Sequence, residues 1–242
     1  MMPSLTLPML KLRGTTLLAN AGDGFAEVFC GLGGVLAGEG LFKGNPPSPL
    51  GSFFSGTTEG LAQDAVSRAD LFYLDVAHGA ANLLVDAAIL AERVFPNTFP
   101  RDTRHVMVDL TRPAGDWLPF HAQALGSLAG SLQSHAEVTL VITPLTSPVP
   151  GQSIHHLRQK LGVSEILLLD PPALSSATSK GLCGHSLDAE CSGDFPLATL
   201  LAAYAALQFL NVPKELHLGL AAKAGIAHLS GGKPPSWVEI QS

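Results

Sequence analysis

Four groups of residues have side chains whose types and spacing could do chemistry. The segment Thr178-Ser179-Lys180-Gly181-Leu182-Cys183-Gly184-His185-Ser186-Leu187-Asp188-Ala189 brings a lysine, an imidazole and a hydroxyl close together in sequence. An ammonium beside an imidazole can polarise a carbonyl, and a hydroxyl beside an imidazole can act as a nucleophile. Gly184-His185-Ser186-Leu187-Asp188 comes near the Gly-x-Ser-x-Gly turn of serine hydrolases, with Asp188 replacing the last glycine. The residues at 179–183, however, do not read as the apolar strand that such a turn needs. Asp109 and Asp170 close two strand-like runs, a position where α/β proteins place ligands and where turn residues are equally common. The glycine cluster from Gly31 to Gly40 carries Leu36 where the third glycine of a dinucleotide fingerprint belongs, which argues against NAD or FAD.

Metal chemistry finds no support. The nine histidines form no His-x-His or His-Glu-x-x-His group, and the adjacent His155 and His156 point to different faces of their helix. Cys30, Cys183 and Cys191 are odd in number and lack Cys-x-x-Cys spacing, so neither a disulfide framework nor a zinc site is expected and a reducing cytoplasm is.

The elements that must position these groups follow from hydrophobic periodicity. Apolar runs of strand length are expected at 15–20, 71–76, 105–110, 138–143, 166–170, 215–220 and 237–241. Ile166-Leu167-Leu168-Leu169 is apolar on both faces, as in a strand covered by helices on both sides. Helices are expected at 23–37, 59–69, 79–95, 116–134, 153–161 and 195–210, with Pro96, Gly162 and Asp194 as punctuation. The alternation argues for an α/β layered domain. The helix at 116–134 has a leucine stripe but no charge on its other faces, which suits either a helix sandwiched within the chain or a subunit contact.

Composition bounds the partners. The 242 residues carry 14 Lys and Arg against 20 Asp and Glu, without a basic run, so nucleic acid is not an expected partner. Charged residues are only 14% and mean hydropathy is +0.29, yet the long uncharged stretch 117–136 contains proline, histidine, glutamine and serine and is not a membrane span. At the N-terminus Lys11 and Arg13 follow the apolar residues instead of preceding them, the reverse of a secretory signal.

Together with the Ala/Leu-rich run after it, the segment from Lys180 to Ala189 resembles the β-ketoacyl synthases. In that family a lysine, a Gly-His pair and a Gly-Ala pair open a buried helix, and Lys180, Gly184, His185 and Ala189 stand at matching spacing. Upstream, 138–148 is similar to the family's strand and His-Gly-Thr-x-Thr turn, with Thr146 and Ser147 retained and Pro144 in the place of the catalytic histidine. Ser48-Pro49 to Phe53 resembles a Ser-Pro-x-x-Phe segment, and the nucleophile position falls on Val76 or His78, where the family carries cysteine.

The resemblance implies a layered thiolase-like (ketosynthase-like) fold, truncated, as one domain over 1–242 with two related βα halves at 14–112 and 113–242. Without a thiolate to hold an acyl chain, it implies a non-catalytic subunit of the chain-length-factor type. Its partner would be an active ketosynthase, as a heterodimer or higher assembly, with an acyl carrier protein as a further candidate. The setting would be polyketide, aryl polyene or fatty-acid-like biosynthesis. Lys180 and His185 would be remnants of the active site, and no cofactor or metal is implied. Two other readings stay open: a stand-alone α/β acyl hydrolase or acyltransferase using Ser186 with His185 or a site at Asp109 and Asp170, and a scaffold subunit.

Overall fold

The computed structural model describes residues 12, 16–19, 24–36, 70–75, 104–111, 136–144, 153–187 and 195–241. The elements, in chain order, are β1 (Thr16–Ala19), α1 (Gly24–Gly31), β2 (Val35–Leu36), β3 (Leu71–Asp75), β4 (Arg104–Asp109), β5 (Ala136–Ile142), α2 (Ile154–Leu161), β6 (Glu165–Asp170), β7 (Ala173–Thr178), β8 (Gly181–Ser186), α3 (Leu197–Leu207), α4 (Lys214–Gly231) and α5 (Trp237–Gln241). The strands form one eight-stranded sheet in the order β2-β1-β3-β4-β5-β6-β7-β8. All neighbours from β2 to β6 pair in parallel, and β7 and β8 add an antiparallel hairpin at the end.

The central strands are buried on both faces, which explains their unbroken apolar sequences. Along β4, Val106 and Val108 face one side and Met107 the other, and all three are at most 2% exposed. Connection handedness then decides where the helices go. The chain steps from β1 to β2 in one direction along the sheet and from β5 to β6 in the opposite one. Right-handed crossovers therefore put α1 and α2 on opposite faces. On the α1 face, α1, α3, α4 and α5 share one apolar cluster with Leu71, Tyr73, Met107, Val141, Leu167, Leu169 and Leu174. On the other face α2 packs on β6 and β7.

α3 sits at the centre of the first layer. Its sequence, Leu-Ala-Thr-Leu-Leu-Ala-Ala-Tyr-Ala-Ala-Leu, is apolar all round, and every residue from Thr199 to Leu207 is buried. Such a helix is stable only between other elements; here α1 flanks it, α4 packs against it, and the sheet lies beneath. Tyr204 reaches Glu165 at the start of β6, and Phe209 meets His105 near the start of β4. The C-terminal end of α3 thus lies over the N-terminal edge of the parallel strands. Its N-terminus points to the opposite edge.

Four sequence expectations change, the first being the helix at 23–37, which ends at Gly31 and gives way to β2. The thiolase-like fold of two related halves is replaced by this single sheet with its terminal hairpin. The stretch 215–220, expected as a strand, lies inside the 18-residue helix α4. A short apolar run does not distinguish strand from buried helix, and the Ala/Leu/Lys content continuing beyond it favours helix. The stretch 237–241 is helix α5, opened by a capping box in which Ser236 N and Oγ donate to Glu239 Oε2 at 2.7 and 2.8 Å, while Ser236 Oγ accepts from Glu239 N at 3.5 Å. The helices expected at 59–69, 79–95 and 116–134 lie outside the described residues. Among those described, no helix is long and apolar enough to cross a membrane.

Candidate functional site

In open α/β sheets ligands bind beyond the carboxyl ends of the parallel strands, at the point where strand order reverses. Here the chain leaves β1 toward β2 on one side, and β3 takes the place on the other, so the reversal falls between β1 and β3. Two strand-ending aspartates stand near this point, Asp75 at the end of β3, which borders it, and Asp109 one strand further on. Asp109 ends β4, is 3% exposed, and is in register with Asp75 at the end of β3.

The surroundings of Asp109 explain why a buried carboxylate is tolerated. Its Oδ2 accepts the Tyr73 hydroxyl at 2.5 Å, and its Oδ1 accepts the Thr111 backbone N–H at 2.8 Å and the Thr111 hydroxyl at 2.7 Å. Charge-assisted bonds of this kind offset the desolvation of the group and fix its orientation. Tyr73 is in turn held by Phe25 of α1, with ring centroids 3.7 Å apart and planes 6° from parallel.

The second component is the N-terminus of α3, on the same edge and the same face. The Leu197 N–H bonds to Phe195 O, the Thr199 and Leu200 N–H groups bond to Pro196 O, and Pro196 at the cap offers no side-chain bond. A helix start of this kind carries the positive end of the helix dipole and favours anions. The sequence immediately ahead, Ser192-Gly193-Asp194, lies outside the described residues. Two contacts with α4 secure the start of α3: the Phe195 ring lies where a Cβ on Gly225 would be, and Thr199 Oγ1 is hydrogen-bonded to His228 Nδ1.

A separate polar cluster occupies the opposite edge. Glu165, 1% exposed at the start of β6, accepts the hydroxyls of Ser176 and Tyr204 at 2.5 Å each, and its Oε2 faces Lys214 Nζ at 3.4 Å without a well-directed hydrogen bond. Burial first, and then the Glu165 charge, push the Tyr204 phenol well above its ordinary value. His217 stacks edge-on against Tyr204 and shares a hydrogen bond with Val212 O at 3.0 Å; burial lowers its pKa. His105, 3.7 Å from Glu137, is also lowered by burial, with Glu137 opposing. This cluster ties the far end of α3 and the start of α4 to the sheet. The sequence marks it only by a lone glutamate heading an apolar strand.

The residues singled out by sequence are dispersed. Lys180 is in the two-residue turn between β7 and β8, where its N–H donates to Thr178 Oγ1 at 3.1 Å. His185 lies five residues further along an extended strand, roughly 16 Å at strand rise, with its ring against Gly219 of α4. Ser186 is exposed and, by the alternation of β8, points to the other side from His185. The segment from Thr178 to Ser186 is therefore part of a hairpin rather than the opening of a buried helix. Asp170 is exposed at the end of β6, and Pro144 is exposed after β5. Val76 and His78 lie outside the described residues. Cys183 is a free thiol. Among the described residues, no three His, Cys, Asp or Glu side chains gather to hold a metal ion.

The sequence matches no family model and no curated protein. Solved structures do match in three dimensions. The pyridoxal kinase from Staphylococcus aureus in complex with pyridoxal superposes with a TM-score of 0.58 at 13% identity, over 89% of this chain and 87% of that one. The same kinase in complex with AMP-PCP and pyridoxal gives 0.57 at 14% identity, over 90% and 88%. Ribokinase from Arabidopsis thaliana, complexed with ribose and ATP, gives 0.52 at 15% identity, over 74% of this chain and 57% of that chain. These likenesses overturn the ketosynthase resemblance, and with it the chain-length-factor role and the polyketide, aryl polyene and fatty-acid setting. The acyl hydrolase or acyltransferase reading finds no support either, since Ser186 and His185 diverge on their strand. The chain has the mixed α/β fold shared by pyridoxal kinase and ribokinase.

Proposed function

We propose that the chain is a small-molecule kinase that transfers the terminal phosphoryl group of a nucleoside triphosphate to a hydroxyl of a compact vitamin-like or sugar-like alcohol. The observation that carries this reading is the direction of the buried helix α3, whose N-terminus points to the same edge of the sheet at which the carboxylate of Asp109 is held. The same fold holds AMP-PCP and pyridoxal in one structure and ATP with ribose in another, as the descriptions of those complexes state.

The chemistry asks for little beyond position. In phosphoryl transfer the protein works mainly by aligning donor and acceptor and by stabilising charge on the transferring oxygens. The dipole end of α3 suits the phosphates. Asp109, held by Tyr73 and Thr111, organises the β3–β4 end of the edge. A magnesium ion would enter with the nucleotide phosphates. This reading places the chain in the cytoplasm, where nucleotide is supplied and the thiols of Cys30 and Cys183 stay reduced.

Purified chain mixed with ATP and magnesium is to be assayed against pyridoxal, ribose and related alcohols, with calorimetric titration of ADP and AMP-PCP alongside. Saturable nucleotide binding and alcohol-dependent ADP release are expected. Absence of binding for both ADP and AMP-PCP at millimolar concentration would overturn the reading.

A further inference from the structure

We propose that the C-terminal part of α4 is the positioning element that aims the N-terminus of α3, through the seat of Phe195 on Gly225 and the bond between Thr199 and His228. Its consequence for ligands rests on the kinase reading; its geometry does not. Phe195 and Thr199 flank Leu197, the first residue of α3, and both are buried, at 8% and 1% exposure. Gly225 lies inside an 18-residue helix, where glycine is unfavourable. A Cβ at this position would overlap two atoms of the Phe195 ring and press on a third, so the missing side chain is what lets the ring approach. One turn further along α4, His228 Nδ1 meets the Thr199 hydroxyl. The ring contact sets how close the start of α3 lies to α4, and the hydroxyl bond sets its rotation. Phe195, Gly225, Thr199 and His228 are positioning residues in this account; none is assigned contact with the reacting atoms.

The test uses the full chain, Gly225→Ala, and the double variant Gly225→Ala/Phe195→Leu, in which the smaller side chain vacates the space that the new methyl takes. Amide exchange is followed by NMR at Leu197, Thr199 and Leu200, whose N–H groups bond Phe195 O and Pro196 O, and at residues 203–207 as an internal control. Local opening at the first turn should raise exchange there about tenfold in Gly225→Ala while 203–207 change less than about twofold. ADP affinity should fall by about tenfold, and the double variant should restore both measures to within about threefold of the parent. Unchanged exchange, or a uniform rise along α3, overturns the positioning role. Restored exchange without restored ADP binding overturns its link to the ligand edge. Failure of the parent chain to bind ADP overturns the kinase reading alone, and the exchange data still decide the positioning role. Should Gly225→Ala not fold, Phe195→Leu alone leaves α4 intact and empties the seat; it must loosen the same three amides for the inference to stand.

Discussion

Tyr73 and Asp109, 36 positions apart in sequence, meet across adjacent parallel strands with the phenol donating to Oδ2 at 2.5 Å. The pair joins the packing of α1 to the ligand edge, because the same phenol ring stacks on Phe25. Removing only the hydroxyl separates these two roles. Tyr73→Phe keeps the stack and deletes one donor to a buried carboxylate, at an expected cost of about 1–3 kcal/mol. Urea unfolding checks the cost, and a midpoint equal to that of the parent would show that the bond contributes nothing net.

Lys214 is the cationic neighbour of the buried Glu165 carboxylate, at 3.4 Å, and its side chain is 31% exposed. Breaking a fully buried pair costs about 3–5 kcal/mol, and solvent at the lysine reduces that, so Lys214→Met is expected to cost roughly 1–3 kcal/mol. Because Tyr204 donates to the same carboxylate, Tyr204→Phe combined with Lys214→Met should depart from additivity by more than about 0.5 kcal/mol. Strict additivity in a double-mutant cycle would contradict a shared network.

Acid should weaken the fold through two imidazoles. Burial holds His105 and His217 below the ordinary value of 6.5 in the folded chain. The unfolded chain takes up these protons near pH 6.5, so below that value it binds more protons than the folded chain does. The histidine contribution is therefore complete above about pH 6.5 and declines as pH falls toward the lowered folded values. Urea midpoints measured from pH 7.5 to 5.5 should fall, and the double variant His105→Phe/His217→Phe should flatten the lower part of that curve. An unchanged slope in the variant would refute the assignment.

Ser186 provides a negative control. It lies exposed on the terminal strand, so Ser186→Ala should alter stability by no more than about 0.5 kcal/mol. Phosphoryl transfer and nucleotide binding should likewise match the parent. A large activity loss would return the hydroxyl to the chemistry.

Much of the sheet is legible in the sequence because β3, β4, β5 and β6 are apolar on both faces and bounded by polar or turn residues. The hairpin is not. Ala-Leu-Ser-Ser-Ala-Thr and Gly-Leu-Cys-Gly-His-Ser lack the β-branched and aromatic density that marks a strand, and pairing with β6 supplies what propensity does not. The resemblance makes the segment from Lys180 the opening of a buried helix, whereas an extended strand carries Lys180 and His185 apart. At the ligand edge, the strand-end position of Asp109 is legible, but Tyr73 as its partner is a tertiary fact that no local pattern reveals. The capping box at Ser236 and Glu239 was readable, since Ser-x-x-Glu is a local signal, yet the apolar Trp237-Val238 and Ile240 between and after them also fit a strand.

The burial of α3 from Thr199 to Leu207 has a consequence for measurement. A helix enclosed by α1, α4 and the sheet has no partial opening that frees its middle while its neighbours stay in place. The amides of its central turns should therefore exchange only when the whole domain unfolds, and their slow rates would serve as an internal gauge of global stability for every variant above.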